Sequence, residues 1–405
     1  MEKYLSNLVN IWLNVGINVQ PKQILYVTIP LEYASLREII DEKAEQLEVA
    51  NVIYQFTDGY DQLLEKYSND YQNYDKYLEE ITKNKINLLK HNCVFFEAKR
   101  GIDYYDECKK DELGELKNIE KKYNILFRNK KREIGNVVSC KTVIPTQYWA
   151  ESIFPKEKNP LDKLWEIYFQ ITLANVDDAI DKWNQRIDDI QNRVKYLDLQ
   201  QFKSLIFITR KSRLDVELVE NHKWTGGCEI TNTGIRYMPN FPTQEIFTAP
   251  KKTGITGIMC NTKPLCYGGR IIDDFQLNFK NGKVINYYPK DNHSIIDEII
   301  NLDESNHYPG EIAILPGETE ISKTCVVFQS TLLDENAACH LALGCAYPCS
   351  INHEIKFEKE EFEKLWLNYS NYHIDVMFGD DSITIQAISK NNEIKLLMEN
   401  GEWRV

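Results

Sequence analysis

Ile24-Leu25-Tyr26-Val27-Thr28-Ile29, then Leu36, Ile39, Ile40 and Leu47 at helical spacing, then Val52-Ile53-Tyr54-Gln55-Phe56, is the stretch on which the fold class turns. The two short apolar runs read as strands buried on both faces. The segment between them reads as an amphipathic helix. Strand, helix and strand at this spacing predict a parallel sheet of α/β type. No Gly-x-Gly-x-x-Gly follows the first run, so the dinucleotide fingerprint is absent.

The pattern extends in both directions. Upstream, Tyr4, Leu5, Leu8, Val9, Trp12 and Leu13 predict a helix over 3–15 that Gly16 ends. Downstream, 59–91 is polar, rich in Tyr, Lys and Glu, and reads as solvated helix. Further helices are predicted over about 159–173 and 175–197, and a strand at Ser204-Leu205-Ile206-Phe207-Ile208. Strands then dominate. Phe275, Leu277 and Phe279 alternate up to an Asn281-Gly282 hairpin turn into Val284 and Tyr287, and Ser382-Ile383-Thr384-Ile385 alternates again. The expected organisation is an N-terminal α/β domain with a parallel-type sheet over 1–200. A strand-rich, mixed α+β domain over 201–405 follows it.

Composition narrows the function. The 405 residues carry 48 Lys plus Arg against 61 Asp plus Glu, a balance of −13. That opposes nucleic-acid phosphate binding and docking on an anionic membrane. No basic n-region with an apolar run opens the chain, and no stretch approaches 18 apolar residues. The ten cysteines are scattered without a Cys-x-x-Cys, as expected of thiols in a reducing, cytoplasmic compartment.

Seven histidines can be weighed one by one. His91, His293, His307 and His353 lie in polar contexts and read as surface residues, and His222 sits in a loop by composition. His373 and Asp375, two apart on a predicted strand ended by Gly379, share one face and suit a divalent metal. His340 is expected on a short helix that Asp334 caps and Gly344 ends. Glu245 lies between Pro239, Pro242 and Pro250, which fix an irregular segment. Glu311 follows Pro309-Gly310 at the mouth of an apolar run, where a buried carboxylate needs a metal or an Arg as partner. Each reads two ways alone, His340 also as a core histidine and His373 with Asp375 also as a structural pair, but two Glu, two His and one Asp together form a ligand set typical of a two-metal hydrolytic site.

These segments, in this order, resemble the aminopeptidase T / aminopeptidase S (PepS) family of metallopeptidases. Asn240-Phe241-Pro242-Thr243-Gln244-Glu245-Ile246-Phe247-Thr248-Ala249-Pro250 carries the likeness first. Gly310-Glu311-Ile312-Ala313 continues it, as do Leu333-Asp334-Glu335-Asn336-Ala337-Ala338-Cys339-His340 through Ala346-Tyr347-Pro348, and His373-Ile374-Asp375. Trp149-Ala150-Glu151-Ser152-Ile153-Phe154-Pro155, His222-Lys223-Trp224-Thr225-Gly226-Gly227 and Thr262-Lys263-Pro264-Leu265 agree, so the likeness spans nearly the whole chain. It implies a homodimeric aminopeptidase acting on small peptides with a free N-terminus. It also implies two divalent ions (Zn, Co, Mn or Mg) in a C-terminal metal-binding domain. The implied ligands are Glu245, Glu311, His340, His373 and Asp375. Glu335 is implied as a further ligand or as the base, Glu311 as the alternative base, and Tyr347 as a non-ligand donor to the developing oxyanion. On an ideal helix Glu335 and His340 stand about 140° apart, so they converge only if Glu335 lies in a frayed first turn. Lys251-Lys252 replaces a family His-Arg-type pair, which bears on substrate contacts, and 60–135 is diverged. Two rival readings use the same scaffold. One is a ring-cleaving dioxygenase with a single iron on His340, His373 and Asp375, which Glu245 and Glu311 disfavour. The other is a non-catalytic peptide-binding protein, which the intact ligand set disfavours.

Overall fold

A computed structural model describes residues 1–103, 107–267, 270–288, 293–352 and 355–405. They form two compact units, Met1–Trp183 with Cys228–Pro242, and Asn184–Gly227 with Thr243–Val405. The single division expected at 200 lies at the end of the helix Ala179–Gln200, whereas the observed one falls inside that helix. The stretch 228–242 returns to the first unit because backbone bonds and a ring contact hold it there. Met238 N–H donates to Gly16 O at 2.7 Å and Phe241 N–H to Lys141 O at 2.8 Å, and Phe241 packs on Trp183 at 5.0 Å. Nothing in composition signals such a return.

The first unit is built on α1 (Glu2–Ile11), β1 (Ile24–Pro30), α2 (Leu36–Gln46), β2 (Asn51–Thr57), α3 (Tyr60–Tyr67), α4 (Tyr71–Leu88), β3 (Cys93–Arg100), α5 (Lys110–Ile134) and β4 (Ser139–Ile144). Its sheet is parallel throughout, in the order β2-β1-β3-β4, as the opening stretch requires. Phe95 and Phe96 point to opposite faces of β3. Phe96 meets Trp12 of the turn that follows α1, and Phe95 meets Phe127 of α5, so both faces of the sheet are covered. The polar stretch 59–91 forms α3 and α4, whose Leu63, Leu64 and Tyr74 pack on Leu113 and Leu116 of α5. No helix among the described residues is long and apolar enough to cross a membrane.

The second unit holds two large antiparallel sheets and a two-stranded antiparallel pair, Leu265–Tyr267 with Arg270–Ile272. Eight strands form the larger, including Gln276–Lys280 and Lys283–Tyr287. The turn between these two puts Asn281 at φ 51° and Gly282 at φ 76°, the paired positive values that an Asn-Gly hairpin turn demands. The smaller sheet orders its strands β9-β8-β7-β6-β5, from β5 (Thr225–Gly226), β6 (Ile246–Thr248), β7 (Pro309–Ile314), β8 (His340–Gly344) and β9 (His373–Met377). Ile246, Ile312, Ile314, Leu341, Leu343, Ile374 and Val376 point from one face of it into a core shared with Leu205, Phe207, Leu214, Met259, Leu277 and Ile385. The opposite face is left for chemistry.

Candidate metal centre

Register decides which side chains meet on that opposite face. Glu311 pairs with Ala342, and Ala342 pairs with Asp375. One step along, Phe247 pairs with Ala313, and Ala313 with His340. Gly344 pairs with His373. Directly opposed residues share a face, and so do residues two apart. Glu311, His340, His373 and Asp375 therefore project together over a floor of Ala313, Ala342 and Gly344. Glu245 joins them from the residue just before β6.

His340 corrects an expectation. It does not sit on a short helix ended by Gly344. The helix covers only Thr331–Asp334, Glu335–Ala337 form a single tight turn, and His340 opens β8. Ala338 is fully extended, at φ −164° and ψ 165°, and Leu341, Ala342 and Leu343 then form a central strand buried on both faces. Gly344 is required, but not as a helix cap. It adopts φ +104° inside the sheet, where a Cβ would lie 2.3 Å from Tyr372 O. Glu335 reaches the cluster from the tight turn, so the ideal-helix separation from His340 does not apply.

The distances define two groups that share one residue. His340 Nε2 lies 3.5 Å from Glu245 Oε2 and 3.5 Å from Glu311 Oε1. His373 Nε2 lies 3.8 Å from Glu311 Oε2 and 3.2 Å from Asp375 Oδ1. Donor atoms of Glu245, Glu311 and His340 all fall within 4.8 Å of one another, and so do those of Glu311, His373 and Asp375. Glu311 thus turns one oxygen to each histidine. The partner expected for this buried carboxylate is the pair of imidazoles, not an Arg.

Both rings are oriented from behind. His340 Nδ1 is 3.2 Å from Ala338 O, and His373 Nδ1 is 2.8 Å from Cys345 O. A carbonyl only accepts, so each Nδ1 carries the proton and each Nε2 faces the acids. This is how metal-ligating histidines are commonly held.

Charge crowding shows in the titration of the cluster. Burial alone would lower the His340 imidazole, but its hydrogen bond to Glu311 and the charges of Asp375 and Glu245 lift it to about 9. Burial likewise opposes His373, and Asp375 and Glu311 raise it to about 10. Burial pushes Glu245 up to about 7 against the pull of His340. Burial, then Glu245, Asp375 and Glu311, hold the Glu335 carboxyl well above the carboxylate range. Asp375 goes the other way: burial, the largest influence, would raise it, but the charge and hydrogen bond of His373 together with the charge of His340 hold it below the usual value. Protons thus supply a charge balance that a divalent cation supplies better. Asp375 Oδ1 is enclosed and takes no aligned hydrogen bond, which leaves a lone pair for a cation. The donor set of carboxylate oxygens and imidazoles fits Zn, Mn or Co chemistry.

Tyr347 packs its ring against His373, tilted by 45°, at a centroid distance of 4.6 Å, and Phe247 meets Tyr347 edge-on at 6.1 Å. Burial and the four nearby carboxylates keep the Tyr347 phenol protonated, so it can donate. Lys251 and Lys252, which follow the segment of Glu245, are engaged elsewhere. Lys251 pairs with Glu217 at 2.9 Å, and Lys252 lies over the Tyr308 ring at 4.9 Å.

Of the other histidines, His91 is exposed, His307 is half-buried and His222 is buried. The side chain of His293, and His353 altogether, lie outside the described residues. Two residues of the site region carried no expected role, Thr243 and Asn336, and Asp334, expected to cap a helix at its start, is instead the last residue of one. Asp334 receives the Phe328 and Ser330 amides at 2.8 and 3.0 Å. The one signal for them in the sequence is the presence of polar residues close beside Glu245 and Glu335.

The family model described as thermophilic metalloprotease (M29) matches residues 1–403. Aminopeptidase 2 of Geobacillus stearothermophilus is 31% identical, over 99% of this chain and 98% of its own length. Aminopeptidase AmpS of Bacillus subtilis (strain 168) is 28% identical, over 98% of both. The solved structure of wild-type AmpT from Thermus thermophilus superposes with a TM-score of 0.87 at 24% identity, covering 100% of both chains, which establishes the shared fold.

Proposed function

Because the chain belongs to the thermophilic metalloprotease family M29 and is accordingly a metal-dependent aminopeptidase, we propose that it releases N-terminal residues from small peptides at a site for two divalent ions. The observation that carries this reading is the shared carboxylate: Glu311 belongs to both donor groups. Glu245 and His340 complete one group, and His373 and Asp375 the other. Bound there, Zn, Co, Mn or Mg would supply Lewis acidity to the scissile carbonyl and lower the pKa of a water.

The chain's own residues do the rest. Glu311, with one oxygen turned to each histidine, is committed to holding both groups together. That leaves Glu335 as the proton carrier. Its carboxyl lies buried beside Glu245, Asp375 and Glu311, where it would take the proton released by the attacking water and pass it to the leaving amine. Tyr347 O–H donates to the oxyanion as it develops. The free α-amine of the peptide is drawn by the surplus of carboxylates. Phe247 and Tyr347 keep an aromatic flank beside it. The assembly proposed is a homodimer, and the compartment the cytoplasm.

The test pairs metal analysis with substrates. Exhaustive chelation should abolish hydrolysis, and Co²⁺, Zn²⁺ or Mn²⁺ should restore it at two ions per chain. Free-amine dipeptides should be cut and their N-acetylated counterparts spared. Retention of full activity with metal shown to be absent, or equal cleavage of blocked and free peptides, rejects the reading.

A further inference from the structure

Asn336 follows Glu335 directly and is wholly buried. Its Oδ1 accepts from Thr243 Oγ1 at 3.1 Å and from the Gln244 amide at 2.8 Å. Its Nδ2 donates to Leu332 O at 3.2 Å, and its own carbonyl accepts from Thr319 Oγ1 at 2.9 Å. The partners fix which end of the side-chain amide is which. A backbone N–H only donates and a backbone C=O only accepts.

These bonds join two stretches of chain that are far apart in sequence. Thr243 and Gln244 immediately precede Glu245, and Leu332 and Asn336 bracket Glu335. We propose that Asn336 is a positioning residue that fixes the separation of the Glu245 and Glu335 carboxylates. It does so by tying the segment that carries one to the turn that carries the other. The inference rests on the two-ion reading above.

The chemistry of the position favours Asn. Two accepted bonds and one donated bond must come from one rigid plane, which Ser and Thr are too short to supply. Asp would accept both bonds, but it would face Leu332 O without a donor and add charge next to Glu335. Gln would reach one methylene too far for bonds of this length. The tether also lies one residue from Glu245, so slack in it passes almost undiminished to that carboxylate. Metal–ligand distances tolerate only about 0.2 Å. Asp334 holds the other side of Glu335 through the Phe328 and Ser330 amides, so the turn is clamped from both sides.

The test uses the full chain and three variants: Asn336→Ala, Thr243→Val and Thr243→Ser. Metal content and affinity are read by chelator competition with Zn²⁺ or Mn²⁺, alongside kcat, KM and thermal unfolding of the metal-stripped protein. Asn336→Ala and Thr243→Val should each weaken metal affinity by roughly 10–100-fold, the usual loss when a ligand's supporting partner is removed. The loss in rate should fall on kcat more than on KM, and excess metal should recover part of it. Thr243→Ser, which keeps the hydroxyl, should regain most of what Thr243→Val loses. Should Asn336→Ala fail to fold, Thr243→Val decides, because it leaves the bond to the Gln244 amide in place. Wild-type metal affinity and wild-type kcat in a variant that merely melts earlier would overturn the assignment. Absence of metal from the parent protein would instead overturn the two-ion reading on which it rests.

Discussion

Both site histidines give their Nδ1–H to a backbone carbonyl, and both turn Nε2 toward the acids. Removing such a ring takes away a ligand and leaves an orphaned carbonyl, so His373→Ala should lose metal together with activity. Tyr347→Phe removes a donor and no ligand. Elemental analysis should find its metal intact, with kcat lower by roughly 10²–10³, the usual loss for one oxyanion donor. Glu335→Gln separates the remaining roles. Retained metal with a lost rate confirms it as proton carrier, and loss of one ion makes it a ligand. A different residue answers to acid. His222 is buried, its Nδ1 donates to Val219 O at 3.0 Å, and its Nε2 is enclosed without a partner. Burial holds its pKa below the usual value. For a base lowered on folding, the stability it contributes is complete above the unfolded pKa of about 6.5 and is lost as pH falls toward the folded one. The loss should run at up to about 1.4 kcal/mol per pH unit. In His222→Leu, the melting temperature should fall less between pH 7 and 5 than it does in the parent.

At the scale of the element, alternation along the strand does the sorting. In β8, Leu341 faces the core, and Ala342 faces the site between Glu311 and Asp375. Leu341→Ala should therefore cost about 2–5 kcal/mol by chemical denaturation while two ions stay bound. Ala342→Val should do the reverse. Its stability cost should be about 1–3 kcal/mol, with metal affinity falling at least tenfold as the added bulk parts the two carboxylates. The same alternation explains what could be read in advance. His373-Ile374-Asp375 showed its period because one face is polar and the other apolar. His340-Leu341-Ala342-Leu343-Gly344 hid its own, because small residues floor the site and Leu fills the core. A strand buried on both faces gives no period for a reader to find. Gly344 misled for a related reason, since positive φ serves a helix end and a crowded sheet equally well. The β1–α2–β2 unit was legible because burial of both strands and an amphipathic connection leave one arrangement. The return of 228–242 to the first unit was not, because it depends on backbone bonds formed only once the chain has folded.

For the whole molecule the telling fact is that Glu245, Glu311, Glu335, His340, His373 and Asp375 all belong to the second unit, Asn184–Gly227 with Thr243–Val405. A ligand that binds only the folded state stabilises what it binds, by RT ln(1 + [L]/Kd), or about 4 kcal/mol at a thousandfold excess over Kd. That increment belongs to the unit that contains the site. Stripping the metal also returns the charge balance to protons on the buried imidazoles, an arrangement that burial resists at His340 and His373. Calorimetry of the metal-loaded protein should therefore show a transition that moves down by several degrees on chelation. The signal of the first unit, Met1–Trp183 with Cys228–Pro242, should stay in place, because it contributes none of these six residues. Repeating the scan on His373→Ala provides the control. With a ligand already gone, chelation should shift its melting far less than it shifts the parent's. An equal shift in the variant would mean that the stabilising metal binds somewhere other than this cluster.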